Sequence, residues 1–318
     1  MGNKKRDKSD IVNNKIDKLN ETGENEKTVF PKTDLAIETH EFNVEKGKDD
    51  GIKVENYVLE GIEVTKATIF EGRGEEISGK KAGLYITADI GEIHMKSKED
   101  FEKTVVCLSK LIEELVPAGD ECVLVAGIGN EEITSDALGP RTASGVIATR
   151  HIKKLKNDLF SSLEFSETVS VQTGVMGTTG LESAEIVSSI AEKIKPKCII
   201  AIDSLASRRL SRLSTTVQIS TAGISPGAGV ANRRLELNSD TLGVPVIAVG
   251  IPTVVDAFTL VCDLTDGNEC EEQCKGKDNF FVAPKESDKI IKEASRLLSA
   301  SINMALHGLS LSEMSELQ

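Results

Sequence analysis

Alternating apolar and polar residues predict β-strands in the first third of the chain. The stretches IKVENYVLE, GIEVTKATIF and GLYITADI switch between the two kinds of residue in the manner of half-buried strands. Residues 101–116 then have the spacing of an amphipathic helix, which Pro117 ends. We therefore expect a β-rich N-terminal extension followed by a helix.

Further along the chain, short apolar runs alternate with helical patterns. The apolar runs are ECVLVAGIGN, SETVSVQT, KCIIAIDSLA, STTVQIST and GVPVIAVGIPTVVDAFTLVCDL, the last predicting a strand, a turn and a helix. The helical patterns are ALGPRTASGVIATRHIKKL, GLESAEIVSSIAEKIK and SDKIIKEASRLLSASINMALHG. Continuous apolar strands separated by helices indicate a parallel sheet covered on both faces. The predicted class is α/β, with three layers, a mostly parallel sheet and helices on both faces.

The polar N-terminus predicts a flexible leader over residues 1–34, because it holds too little apolar surface to order itself. Residues 35–318 are expected to form a single α/β domain. Residues at about 265–280 form an acidic insertion that contains Cys270 and Cys274. This C-x₃-C pair lacks the second half of a zinc site, so an exposed loop with two incidental thiols is the simpler interpretation.

Charge and composition exclude several classes of protein. The chain has 318 residues, and 51 Asp and Glu against 38 Lys and Arg give a net charge of −13, which argues against direct nucleic-acid binding. No apolar run approaches the ~20 residues of a membrane span, and the N-terminus lacks the apolar core of a secretory signal. We expect a cytoplasmic protein with no membrane contact.

Cofactor and hydrolase fingerprints are not found in the sequence. The loop GIGNEEITSDALGP has Glu132 where a dinucleotide fingerprint needs glycine, and no phosphate-binding loop, nucleophile elbow or HExxH pattern occurs. No cofactor and no metal are therefore predicted.

Two aspartates remain as candidates for catalysis. Asp136 follows one apolar strand, and Asp203 is expected at the end of another. Strand ends of one sheet meet at one edge, and two carboxyl groups held close together keep one proton between them. Such a pair can activate water and protonate a leaving amine, as peptide hydrolysis requires. The alternative is that Asp136 caps a helix and Asp203 a turn, and the spacing alone favours capping.

The segments that carry a family resemblance include TDLAIE, GIGNEEITSDALGP, GVMGTTGLES, AIDSLASR, SPGAGVANRRLEL and GVPVIAVGIPTVVDA. In this order, over roughly residues 31–308, the sequence resembles the germination protease family of spore-forming bacteria. The resemblance implies an atypical aspartic-type endopeptidase that begins the degradation of small acid-soluble spore proteins in the spore core. Asp136 and Asp203 match the two important aspartates of the family. A homotetramer and a fold similar to that of hydrogenase maturation endopeptidases are also implied.

The same resemblance implies a zymogen that removes its own leader. The segment KTDLAIE has the form of the processing site, with the cut between Asp34 and Leu35. We also expect backbone N–H groups of the turn from Gly174 to Gly180 to face the developing oxyanion. We expect Arg208, Arg233 and Arg234 to bind acidic side chains of the substrate, and Gly177 to contact the substrate as well.

Two other functions stay open at this point. One is a metal-dependent endopeptidase of the maturation type, although no convincing histidine ligand is found near the right strand end. The other is an α/β binding module that captures spore proteins or a nucleotide without cutting them.

Overall fold

The computed structural model describes residues 33–45, 50–163, 165–225, 235–264 and 280–317. All of these residues belong to one compact unit, Pro31–Gln318. Most of the predicted leader, nearly all of the acidic insertion with Cys270 and Cys274, and the pair Arg233 and Arg234 lie outside the described residues. The expectations for those parts of the chain therefore stay predictions.

The described strands form one mixed sheet. They are β1 (Ile52–Leu59), β2 (Ile62–Ile69), β3 (Gly83–Asp89), β4 (Val123–Ile128), β5 (Thr168–Gly174), β6 (Cys198–Ser207), β7 (Thr216–Ser220), β8 (Val246–Asp256) and β9 (Phe281–Val282). Their order is β1-β2-β3-β7-β8-β6-β4-β5, and β9 pairs with the far end of β8. Strands β8, β6, β4 and β5 run parallel, and the N-terminal strands β1–β3 extend the sheet in antiparallel fashion through β7.

The described helices lie between and beside these strands. They are α1 (Ala36–Glu45), α2 (Arg73–Ser78), α3 (Lys98–Leu115), α4 (Leu138–Ser144), α5 (Arg150–Leu155), α6 (Asn157–Ser162), α7 (Met176–Thr179), α8 (Ser183–Ile194), α9 (Ser239–Leu242), α10 (Ala257–Leu264), α11 (Ser287–His307) and α12 (Leu311–Leu317). Among them, none combines the length and the apolarity that crossing a lipid bilayer requires.

Successive residues of the central strands face different layers. In β4, Val123 and Val125 belong to the larger core with the buried residues of α3 and α11, whereas Leu124 and Ala126 pack with the buried residues of α8. A strand buried on both faces must be apolar at every position, and all six residues of β4 are buried. The predicted α/β class, with helices on both faces and a β-rich N-terminal extension, is confirmed.

Two predicted elements differ in the structure. Strand β8 continues through Pro252 to Asp256, so the turn expected within GVPVIAVGIPTVVDA is not formed. The partner strand accommodates this by a register shift between Leu205 and Ala206, and the Pro252 carbonyl accepts a hydrogen bond from the Ser214 N–H at 2.8 Å. The strand thus passes through a residue that has no N–H to donate.

The predicted helix over ALGPRTASGVIATRHIKKL is divided into α4 and α5. A side chain at Gly145 would press on Ser299 of α11, so the chain passes α11 closely at this point. The Asn303 side chain donates to the Gly145 carbonyl at 2.9 Å and accepts from the Ile147 N–H at 2.9 Å. These bonds satisfy the backbone groups that a continued helix would have paired, and α4 ends at Ser144.

His307 is buried at the end of α11. Its Nε2 lies 3.1 Å from the Ile147 carbonyl oxygen, and its ring is 5.1 Å from the ring of Phe165. Burial disfavours the charged imidazolium and lowers the pKa of His307 to about 4, although the hydrogen bond with Ile147 opposes this shift. The folded protein therefore keeps a neutral imidazole in mildly acidic solution.

This neutral imidazole should make folding stability depend on pH. As the pH falls below the ordinary value of 6.5, the unfolded chain takes up a proton at His307 and the folded chain does not, so stability is lost between pH 6.5 and pH 4. We predict that His307→Gln removes about 3 kcal/mol of this loss, since each pKa unit corresponds to about 1.4 kcal/mol. Urea unfolding of both proteins from pH 7 to pH 4 measures it, and parallel profiles would contradict the prediction.

Candidate functional site

One edge of β6 is free where β4 ends. Strand β4 pairs with β6 only as far as Gly127 opposite Ile202, whereas β6 continues along β8 to Ser207. Asp203 is the first residue beyond this pairing. It was expected at a strand end, but it lies in the middle of a ten-residue strand, because β8 still supports β6 on the other side. The Asp203 side chain is buried, with the residue 5 % exposed.

The loop after β4 brings Asp136 back towards the sheet. Gly129 has φ 121°, and a side chain there would collide with the Asp136 carbonyl oxygen, so the tight return needs glycine. The Asn130 N–H donates to Asp136 Oδ2 at 2.8 Å. Thr253 of β8 donates to the Ser135 carbonyl at 2.7 Å and fixes the loop over the sheet. The N-cap residue of α4 is Ala137, which makes no side-chain cap. Asp136 is therefore not the N-cap of α4, as the capping alternative required.

Asp136 and Asp203 line the same cavity, which has a volume of about 500 Å³. The close packing of α4 explains their convergence. A side chain at Gly139 would collide with the main-chain oxygens of Ile128 and Ile202, so the start of α4 rests on both strands. Asp136 stands three residues before Gly139 and Asp203 one residue after Ile202. The two predicted residues thus come together in the fold, and their chemical role stays a prediction.

One residue of the predicted processing segment also lines this cavity. Asp34 lines it, and the Asp34 N–H donates to the Ala206 carbonyl at 2.8 Å. Leu35 is fully buried and packs with Ile37 and Leu205. Residues 33–35 are therefore bound along the free edge of β6, and α1 begins directly after them.

Carboxylates accept hydrogen bonds from every second N–H group along the free edge of β6. The pairs are Ser204 N–H with Asp203 Oδ1 at 2.8 Å, Ala206 N–H with Asp34 Oδ2 at 2.8 Å, and Arg208 N–H with Glu38 Oε2 at 2.6 Å. The next N–H group, that of Arg209, donates to Glu38 Oε1 at 3.0 Å. Hydrogen bonds from N–H groups to a carboxylate are stronger than those to a neutral acceptor. Asp34 and Glu38 thus accept from two main-chain N–H groups that are two residues apart, those of Ala206 and Arg208.

Two polar side chains hold the segment from the opposite side. Gln218 of β7 donates from Nε2 to the Asp34 carbonyl at 3.0 Å and accepts at Oε1 from the Ala36 N–H at 2.8 Å. The Lys80 ammonium donates to the Thr33 carbonyl at 2.7 Å. Burial lowers the pKa of Lys80, and the charges of Asp34 and Glu38 oppose the shift.

The arginines after β6 bind α1. The Arg208 guanidinium lies 5.2 Å from the centre of the Phe42 ring, and Arg212 forms a bidentate ion pair with Glu41. Burial raises the pKa of Glu41, but the hydrogen bond and charge of Arg212 outweigh this and hold that pKa below its ordinary value. The Arg208 side chain therefore contacts the chain's own helix and does not line the cavity.

The glycine-rich turn does not reach the cavity. Gly177 lies in the short helix α7 and is exposed, and residues 174–180 are not among those that line the cavity. The expectation that this turn faces the oxyanion stays a prediction, although its residues do not line the cavity that contains the two aspartates. The physical reason is that β5 is the outermost strand on that side, separated from β6 by β4.

Sequence reasoning missed Gln218 and Lys80. Gln218 stands in the short strand TVQIS, in which every residue is buried, and a polar side chain in such a strand is the signal that could have identified it. Lys80 follows a turn in a charged stretch, where its sequence context gives no such signal.

A metal ion at this site would need at least three ligating side chains. In the part of the chain that the structure describes, no group of three or more His, Cys, Asp and Glu side chains is arranged to hold a metal ion. Asp136 and Asp203 thus lack the third ligand that the metal-dependent alternative requires among those residues.

Comparisons with known proteins agree on one family. The family model described as germination protease matches residues 32–267. A germination protease of Caldanaerobacter subterraneus subsp. tengcongensis is 39% identical over 321 residues, covering 90% of this chain and 97% of the relative. One from Clostridium acetobutylicum is 38% identical, with 90% and 98% covered, and one from Bacillus mycoides is 40% identical over 268 residues, with 79% and 72% covered.

A solved structure is also similar in part. The [NiFe] hydrogenase maturation protease HycI from Thermococcus kodakarensis KOD1 is 14% identical, with a TM-score of 0.34. The match covers 60% of this chain and 98% of that one.

The buried carboxylate of Glu38 should be required to hold the segment on β6. Glu38→Gln would turn an amide N–H₂ towards the N–H groups of Arg208 and Arg209, and we predict a loss of about 1–3 kcal/mol in the free energy of unfolding. The control is Glu76→Gln, since the Glu76 side chain is exposed and 3.9 Å from Arg73. Urea unfolding measures both, and equal stabilities of the two variants would contradict the prediction.

Proposed function

The chain belongs to the germination protease family and is a protease, and from that premise we propose that it cuts small acid-soluble spore proteins after first removing its own leader between Asp34 and Leu35. The observation that carries the proposal is that Asp34 lines the same cavity as Asp136 and Asp203 and is held to β6 through its main-chain N–H. A protease that processes itself must bind its own segment as a substrate, and Asp34 is hydrogen-bonded to the main chain of β6 immediately before helix α1 begins.

In the proposed reaction, Asp136 and Asp203 share one proton and hold a water molecule between them. The ionised carboxylate takes a proton from the water as its oxygen forms a bond to the carbonyl carbon of Asp34. The protonated carboxyl group then gives its proton to the nitrogen of Leu35 as the C–N bond breaks. The immediate products are a carboxylic acid at Asp34 and a free amine at Leu35, and the pair again holds one proton. The new carboxylic acid then ionises by passing its proton to solvent.

The pattern of the bound segment supports acidic spore proteins as further substrates. Asp34 and Glu38 each accept hydrogen bonds from main-chain N–H groups that follow Asp203, while Leu35 fills an apolar site against Leu205. A substrate can use the same positions once Asp34 has been released by cleavage and Leu35 and Glu38 have moved away from β6. A substrate segment with the same order of acidic and apolar side chains would take their place.

The homotetramer, the spore core as the place of action and the lack of direct nucleic-acid contact are proposed on the family relationship and the acidic charge alone. They do not enter the reaction described above.

Substitution of either aspartate should stop the reaction and keep the fold. We predict that Asp136→Asn and Asp203→Asn each lower the cleavage rate of a purified small acid-soluble spore protein at least about 100-fold, because each removes one step of proton transfer. Asp120→Asn, at an exposed position outside the cavity, is the matched control. Gel-based cleavage assays and thermal unfolding measure both properties. A folded variant with full activity would refute the pair, and an intact substrate with the wild-type protein would favour a binding module.

Leader removal should produce one defined new terminus. We predict that the purified full chain, held in mildly acidic solution, converts to a species that begins at Leu35, because Asp34 lines the cavity with the two aspartates and is bonded to β6. Intact-mass spectrometry and N-terminal sequencing identify the terminus, and the Asp203→Asn chain serves as the uncut control. A stable cut elsewhere, with the Asp34–Leu35 bond intact, would contradict the proposal.

A further inference from the structure

Gln218 and Asp203 lie in one row across three neighbouring strands. Gln218 of β7 is directly opposite Gly250 of β8, and Gly250 is directly opposite Asp203 of β6. Directly paired residues project from the same face of a sheet, so both side chains face the same layer. With strands about 4.8 Å apart, their main chains are about 10 Å from each other. That span leaves room for a bound peptide between the two side chains.

Gly250 keeps this span open. Because Gly250 has no side chain, Leu205 can lie above it, and a Cβ at residue 250 would be 2.6 Å from Leu205 Cγ. Leu205 in turn packs against Leu35. Asp34 is bonded to both outer strands of the row, to Ala206 of β6 through its main-chain N–H and to Gln218 of β7 through its carbonyl oxygen.

Gln218 is bonded to both sides of the Asp34–Leu35 unit. Its Nε2 donates to the Asp34 carbonyl oxygen at 3.0 Å, and its Oε1 accepts from the Ala36 N–H at 2.8 Å. These two partners fix the orientation of the carboxamide, because only the nitrogen can donate to a carbonyl and only the oxygen can accept from an N–H. The side chain is 7 % exposed, so little water competes for these bonds.

Resting on the proposed function, we infer that Gln218 is a catalytic residue that stabilises the oxyanion. When the water oxygen forms its bond to the Asp34 carbonyl carbon, the C=O electron pair moves onto the carbonyl oxygen, which already accepts a hydrogen bond from Gln218 Nε2. A bond to an oxygen that gains negative charge becomes stronger in the transition state. When the C–N bond breaks, the charge returns to the carbonyl, and Gln218 gains and loses no proton.

The two bonds of Gln218 can be separated by substitution. Gln218→Glu keeps an acceptor for the Ala36 N–H but removes the donor to the Asp34 carbonyl, and Gln218→Met removes both. The matched control is Gln172, a strand glutamine of β5 that lies outside the cavity, changed to Glu and to Met. All variants are made in the full chain, and thermal unfolding verifies that each one folds.

The experiment compares cleavage with the binding of the segment. The rate of self-cleavage at Asp34–Leu35 is followed by intact-mass spectrometry from pH 5 to pH 8. Because neither glutamine nor methionine titrates, Gln218→Met should lower the rate evenly across that range, and Gln218→Glu is compared at pH 8, where a carboxyl group is ionised. Hydrogen–deuterium exchange of the peptide covering residues 33–40, measured in the Asp203→Asn background, reports whether the segment stays bound.

We expect both Gln218 variants to cleave about 100- to 1,000-fold more slowly, as is typical for the loss of one oxyanion donor. In Gln218→Glu the segment should stay protected from exchange, and both Gln172 variants should cleave at the wild-type rate. Rates within threefold of wild type, or a loss of rate matched by an equal loss of protection, would overturn the role of Gln218 and leave the aspartate pair intact. Absence of cleavage in the wild-type chain would overturn the proposed function and this inference with it.

Discussion

The unpaired edge of β6 beyond Ile202 is the constraint on which the site depends. A buried strand cannot leave main-chain N–H and C=O groups without partners, and β4 stops too early to supply them. Carboxylates take that place for every second N–H group, first Asp203 itself, then Asp34, then Glu38. The need to provide hydrogen-bond acceptors for the N–H groups of β6 thus positions both Asp203 and the segment around Asp34.

This edge links the fold to the acidic character of the bound segment. Along a strand edge, the main-chain N–H groups of every second residue point outward. A bound segment is recognised when its carboxylates lie opposite these N–H groups, as Asp34 lies opposite Ala206 and Glu38 opposite Arg208. Leu35, between the two acidic residues, is buried against Leu205, which itself lies over Gly250. The close approaches at Gly129, Gly139 and Gly250 have a common effect, since they let the Asp136 loop return to the sheet, α4 rest on β4 and β6, and Leu205 lie over β8.

Much of the fold could be predicted because the strands are buried on one or both faces. Period-two alternation located β1–β3, and continuous apolar runs located β4, β6 and β8. The failures are local and have physical causes. Pro252 was expected to end a strand, but a register shift in β6 accommodates it, and α4 ends at Ser144 because Asn303, far along the chain, bonds the backbone after it.

The site was predictable in part. The convergence of Asp136 and Asp203 follows from strand ends that meet at one edge, although Asp203 lies within its strand and not at its end. Gln218 was less predictable, because the segment that it binds precedes it by more than 180 residues, and its polar side chain in a short buried strand gives no hint of that partner. Arg208 was expected to contact substrate, yet its side chain lies against Phe42 of α1.

The most direct test of the central claim is a crystal structure of the full Asp203→Asn chain with the Asp34–Leu35 bond intact. The account predicts one ordered water within hydrogen-bond distance of both the Asp136 carboxylate and the residue 203 amide, about 3–3.5 Å from the Asp34 carbonyl carbon. The account would be contradicted by side chains of residues 136 and 203 too far apart to bind one water, or by residues 33–36 bound away from β6.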